Sequence, residues 1–224
     1  MRTRVRGLSI VELLVATAIG LVVVAAAGAI VLAQHAAARK LQAETRLMHD
    51  LRTAADLVAR DLRRAGHWSA AATSAVRRGD APAAVNPHAA LAPASAAASE
   101  IALSFSTSDD GDLAIVDDRD RFGFRLRGGA IEMQLGARNW QTLTDSGTLV
   151  VTAFAVEPRI DEISLDAFCE RPCAATGATC PPRQQVRSFA ITLAARSATD
   201  SAVSRTLRSS VRTRNDTVVG RCEG

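Results

Sequence analysis

Three groups of side chains in this 224-residue chain could carry chemistry: four cysteines, two runs of aspartates, and a glutamate set in an apolar N-terminal stretch. Cys169, Cys173, Cys180 and Cys222 all fall in the last quarter. An even number suits two disulfides if this part lies outside the cytoplasm, with three connectivities open. Structural zinc would need two close ligand pairs, and Cys222 has no nearby Cys or His companion, so disulfides are the better reading. Asp109-Asp110-Gly111-Asp112 and Asp117-Asp118-Arg119-Asp120 are dense in carboxylates of the kind calcium uses. Their spacing does not fit an EF-hand loop, and Asp and Gly at strand ends are ordinary turn residues. His35, His49, His67 and His88 lack metal-ligand spacing, and neither a Gly-x-Ser-x-Gly elbow nor a phosphate-binding glycine loop occurs. The residues therefore imply no metal, no cofactor and no enzyme.

The glutamate is the more informative group. From Leu8 to Ala33 the chain is apolar or small apart from Ser9, Thr17 and Glu12. That run exceeds the roughly 20 residues a helix needs to cross a bilayer. A carboxylate there is unfavourable, by roughly 2.5 to 3.5 kcal/mol near the centre of a span and less toward an end. A cleaved secretory signal would explain the basic residues in front and the small residues Val24-Ala25-Ala26. The apolar run continues past them, however, and Glu12 lies within it. A plain signal anchor would leave Glu12 without a role.

Gly7 followed by Leu8-Ser9-Ile10-Val11-Glu12-Leu13-Leu14 resembles the leader and first helix of type IV prepilins. In that family a dedicated peptidase cuts after the glycine and methylates the new terminus, which implies Gly7 and Leu8 as the processing site. The resemblance further implies that Glu12 pairs with the terminal amine of a neighbouring subunit and sets the register of assembly. A buried carboxylate is tolerable when it has such a cationic partner. The family usually has Phe after the glycine; Leu8 departs from this, in the manner of minor rather than major pilins.

The elements that must carry this helix follow in order. Leu41, Leu47, Met48, Leu51, Ala54, Ala55, Val58, Leu62 and Ala65 recur mostly at three- and four-residue steps, with Arg52, Asp56, Arg60, Arg63 and Arg64 on other faces. No proline interrupts them, so the spacing predicts one helix from Leu8 to about Ala65, on the order of 87 Å long. Gly20 and Gly28 are places where it could bend. Arg60-Asp61-Leu62-Arg63 with Gly66 and Trp68 resembles the end of the first helix in PilW-type minor pilins. Gly66 reads as the helix stop, Trp68 as packing back on the domain, and Asp61 and Arg64 as capping and surface-pairing residues. The Ala/Ser/Pro-rich segment 67–99, broken by Pro82, Pro87 and Pro93, reads as a loop-rich connector.

From Glu100 the period becomes two. Strands are predicted at 101–106, 113–116, 122–127, 131–135, 140–143, 149–156, 160–165, 186–194 and 206–213, with Gly128-Gly129 as a hairpin turn. Ser210-Val211-Arg212-Thr213-Arg214-Asn215 also resembles the ending of PilW-like domains. The expected fold is α+β and type IV pilin-like: leader 1–7, membrane-spanning half-helix 8–33, amphipathic half 34–66, connector 67–99, and an antiparallel sheet domain 100–224 with a Cys-rich loop.

The net charge of +4 invites a nucleic-acid reading. Removing Arg2, Arg4 and Arg6 with the leader lowers the basic count from 27 to 24 against 23 acids, so no nucleic acid is expected. The same arginines favour a cytoplasmic leader and a periplasmic domain, although Arg39, Lys40 and Arg46 follow the span closely. The resemblance implies a minor pilin anchored in the inner membrane. Its expected partners are the prepilin peptidase, other major and minor pilins, the pilus assembly platform and membrane lipid. A minor pseudopilin of a type II secretion system shares the leader, helix and sheet and is the runner-up within the same class; the phrases from Arg60 to Trp68 and from Ser210 to Asn215 favour the pilus reading. A signal-anchored periplasmic binding module is the alternative of a different class.

Overall fold

The computed structural model describes residues 9–69, 71, 86–94, 96–107, 115–171, 173–174, 177 and 179–223. Its longest element is α1, Ile10–Arg64, a helix of 55 residues. The chain divides between Thr45 and Arg46 into two compact units. In the first unit α1 is helical without a break through Gly20 and Gly28, and every residue from Ser9 to Gln42 is exposed.

In the second unit the remainder of α1 presents Leu47, Leu51, Ala55, Val58, Ala59 and Leu62 to the interior. These recur every three to four residues because 3.6 residues make a turn, so one stripe carries the whole apolar surface. The stripe belongs to one continuous core with side chains from two antiparallel sheets. The first sheet is the meander β1 (Glu100–Ser104), β2 (Arg121–Arg127), β3 (Ala130–Leu135) and β4 (Trp140–Thr142). It contributes Ile101, Leu103, Phe124 and Ile131. The second orders β5 (Leu149–Ser164), β6 (Arg183–Ser197) and β7 (Ser204–Arg212), with β8 (Thr217–Val219) also paired to β6. It contributes Phe154, Val156, Phe189, Ile191 and Leu193 among others. Along β6 the odd-numbered residues from Arg187 to Ser197 are buried and the even ones half-buried, the two-residue alternation of a sheet with one face on a core.

Several details differ from the sequence reading. The strands form two sheets rather than one. The spans expected at 149–156 and 160–165 are a single strand: β5 carries Pro158 in register with Phe189, which an edge strand tolerates. β8 was not anticipated; its three residues are too few to show a period. Of the strand expected at 113–116, Ile115 and Val116 are irregular and the rest lies outside the described residues. In the connector, Ala92 and Ala98 bridge to Ala102 and Val156, so its described part is fastened to both sheets.

The β5–β6 hairpin continues beyond the core as an arm in which Arg159–Ser164 are all exposed. Its far end holds two disulfides, Cys169–Cys222 and Cys173–Cys180, with Cα separations of 5.4 and 5.8 Å. The longer bridge ties the carboxyl-terminal tail to the arm. Gly220 makes that approach sterically feasible: its φ is +84°, and a Cβ there would lie 2.6 Å from the Thr179 carbonyl oxygen. Beside it the Arg221 amide donates to the same carbonyl at 2.7 Å.

Candidate assembly helix

The helix starts at Ser9. Its Oγ accepts from the Val11 amide at 3.3 Å and its carbonyl from the Leu13 amide at 3.1 Å. Ser9 is thus the N-cap, satisfying one of the amides that a first turn leaves unpaired. Glu12 stands three residues on, the Ser-x-x-Glu spacing of a helix start, and a carboxylate in the first turn is favoured by the helix dipole. That spacing was readable in the sequence and locates the first turn without any family resemblance. Glu12 is the only formally charged residue from Ser9 to Ala38. The segment is long and apolar enough to cross a membrane. Gly7 and Leu8, the expected processing residues, lie outside the described residues.

At its other end α1 is closed by segments distant in sequence. Arg214 donates its amide to the Arg63 carbonyl at 2.9 Å, and Asn215 Nδ2 donates to the carbonyls of Arg64 and Ala65 at 3.4 and 3.5 Å. Gly66, at φ +74°, ends the helix; its amide reaches Ser104 O at 3.0 Å and its carbonyl accepts from Asn86 Nδ2 at 2.9 Å. The final carbonyls of a helix lack partners within it, and here strand ends and asparagines supply them. The phrases 60–68 and 210–215, widely separated in sequence, therefore meet at one place.

Charged groups gather at the same junction. Asp61 is only 5% exposed; burial raises its pKa, and Arg60, whose Nε is 3.7 Å away, and Arg64 act against that rise. This corrects the reading of Asp61 as a surface residue. Arg64 covers the ring of Phe105 at 4.1 Å, and Phe105 stacks on Phe122 with centroids 3.9 Å apart. Trp68 is buried. His88, on the turn Pro87–Ala89, is 3% exposed, and its Nδ1 has no partner among the described residues. Burial lowers its pKa, with Asp120 pulling upward and His67 downward. Arg187 of β6, also buried, donates to the Ala89 carbonyl and at 3.2 Å to Gln185 Oε1. The burial of His88 and Arg187 is not legible in the sequence, because an isolated His or Arg carries no burial signal.

The described acidic run serves its own loop. Asp120 accepts from the Thr107 amide at 3.0 Å, the Thr107 hydroxyl at 2.7 Å and the Asp117 amide at 3.3 Å. Burial would raise its pKa, yet these donors hold it below the usual carboxylate value. Asp117 pairs with Arg119, and Asp118 with Arg121. Asp109–Asp112 lie outside the described residues. Among the described residues no group of three His, Cys, Asp or Glu side chains is placed to hold a metal ion.

Comparison with known families adds to this geometry. Residues 40–213 match the family model of prepilin peptidase-dependent protein B. The chain belongs to this family. The match runs from the packed half of α1 through β7 and excludes Gly7–Leu14, so it is independent of the leader resemblance. No curated protein and no solved structure matches the chain significantly. The chain is thus a pilin-related protein with an α+β, pilin-like architecture.

Proposed function

We propose that this protein is a minor type IV pilin of the PilW-like kind, cut between Gly7 and Leu8 and incorporated into a complex that primes or caps a pilus. The observation that carries the reading is Glu12, the one formal charge on the bare apolar stretch of α1, set in its first turn. In hydrocarbon this carboxylate gains most from a cation supplied by a neighbour, and the amine freed at Leu8 of an adjacent subunit is the nearest such group the processing would create. Apolar helices would bundle, the amine and carboxylate would select one register, and the sheet domain would present its surface to partners. The work is assembly, not catalysis. Two disulfides at the tip of the β5–β6 arm suit an oxidising compartment, which supports an inner-membrane anchor with the domain in the periplasm.

The test is the intact mass and amino-terminal sequence of the protein from membranes with and without a prepilin peptidase, followed by assembly of Glu12→Gln. The expected result is a peptidase-dependent, N-methylated start at Leu8 and loss of incorporation in the variant. A start at Met1 in both strains, or near Ala27, refutes the pilin reading. Co-purification with secretion pseudopilins instead of pilins would move the protein to a type II secretion system.

A further inference from the structure

β7 is an edge strand. Among the described residues its only strand neighbour is β6, and the other side of Ser204–Arg212 carries no ladder. The hydrogen bonds at its two ends tell which residues face that open side. Thr213 donates its amide to Arg187 O at 3.0 Å, and Ser197 donates to Val203 O at 2.9 Å. Both couples continue the register that pairs Ser188 with Arg212 and Arg196 with Ser204. In an antiparallel pair, hydrogen-bonded and non-bonded couples alternate. The odd-numbered residues of β7 therefore bond to β6, and Thr206, Arg208, Ser210 and Arg212 direct their N–H and C=O groups outward. The same four side chains are exposed on the face away from the core, while Val211 is buried and Leu207 packs against the core.

The charge along this edge has one sign. Arg205, Arg208, Arg212 and Arg214 occur without an acid between Asp200 and Asp216. Arg212 is engaged by Asp216 at 2.8 Å, whereas Arg208 stands exposed in mid-strand. Such charges disfavour pairing with a second copy, because arginine would meet arginine across the new ladder. They favour a strand that brings carboxylates.

We propose that the open edge of β7 receives an extended acidic segment of another polypeptide. That segment adds a fourth long strand to the second sheet, satisfies the outward groups of Thr206, Arg208 and Ser210, and sets its carboxylates on the exposed arginines. Main-chain bonds supply the affinity in strand addition, and the alternating side chains supply the selectivity. This inference does not depend on the role of Glu12.

The test uses the full chain in detergent micelles and two synthetic ten-residue probes, one alternating Glu with Val and Thr, the other with Lys in place of Glu. Binding is followed by fluorescence anisotropy and by hydrogen exchange of the β7 amides. The acidic probe is expected to bind, with affinity falling as salt rises, and to slow exchange at Thr206, Arg208 and Ser210; the lysine probe is expected not to bind. Arg208→Glu should weaken the acidic probe roughly tenfold. Ser210→Pro removes an outward donor without touching the β6 ladder, and should abolish binding while the thermal midpoint stays within a few degrees. The proposal is overturned if the acidic probe fails to bind, or if β7 self-associates through this edge. It is equally overturned if Ser210→Pro binds normally with unprotected amides, since charge alone would then explain the attraction.

Discussion

Replacing Cys169 and Cys222 together by serine should cost far more stability than replacing Cys173 and Cys180. The first bridge closes a separation of 53 residues and the second one of 7. In the chain-entropy description, a cross-link of those lengths restricts the unfolded state by about 4 and about 2.4 kcal/mol respectively. The gap of about 2 kcal/mol is more than a factor of ten in the folding equilibrium constant and well within the resolution of denaturant titration. Trp68, buried beside the end of α1, is a suitable fluorescence reporter, and Trp140 on β4 a second. The full chain in micelles, oxidised and treated to block any free thiol, would be unfolded in urea as wild type and as the two double variants. Only under the Cys169–Cys222 and Cys173–Cys180 pairing does each double variant retain one intact bridge. Under either other connectivity each variant removes one partner of both bridges, so both bridges are lost in each. Equal losses in the two variants, or a larger loss for Cys173→Ser/Cys180→Ser, would refute the reasoning.

Two further outcomes follow from the same geometry. Gly220→Ala forces a Cβ against the Thr179 carbonyl at a backbone angle that only glycine adopts freely, so it should loosen the carboxyl-terminal tail, by roughly 1 to 3 kcal/mol. Faster reduction of Cys169–Cys222 by a mild thiol, followed by mass spectrometry, would show it, and unchanged reduction would contradict it. His88 is buried with a lowered pKa, so the unfolded chain takes up its proton first as the pH falls. Its contribution is complete above about pH 6.5, its ordinary value, and declines toward the lowered folded value, at no more than about 1.4 kcal/mol per pH unit. Asp120, with its depressed value, acts lower, its contribution fading below about pH 3.8. His88→Gln should flatten the stability profile just below about pH 6.5 while leaving the acid limb that Asp120 contributes below about pH 3.8; an unaltered profile in that upper window would exclude His88 as its source.

Much of this architecture is local and could be read from the chain. The apolar stretch with Glu12, the 3.6-residue stripe through Leu47, Leu51, Val58 and Leu62, and the two-residue alternation in β2, β3 and β6 are each written within one segment. Helix and strand periods need no knowledge of a partner. The Ser9-x-x-Glu12 helix start is equally local.

What tertiary structure alone decided concerns groups brought together from distant segments. Three cysteine pairings fit the spacing, and only the return of the tail past Gly220 selects one. Asp61 looks like any helix-surface aspartate in the sequence, yet the folded chain buries it. Asn215 and Arg214 cap a helix that ends about 150 residues earlier, and no pattern in either segment names the other. The division of the strands into two sheets, and with it the open edge of β7, depends on which strand lies beside which. Periodicity is a property of one segment and its solvent boundary; burial of a lone polar group, pairing and capping depend on neighbours that only the folded chain assembles.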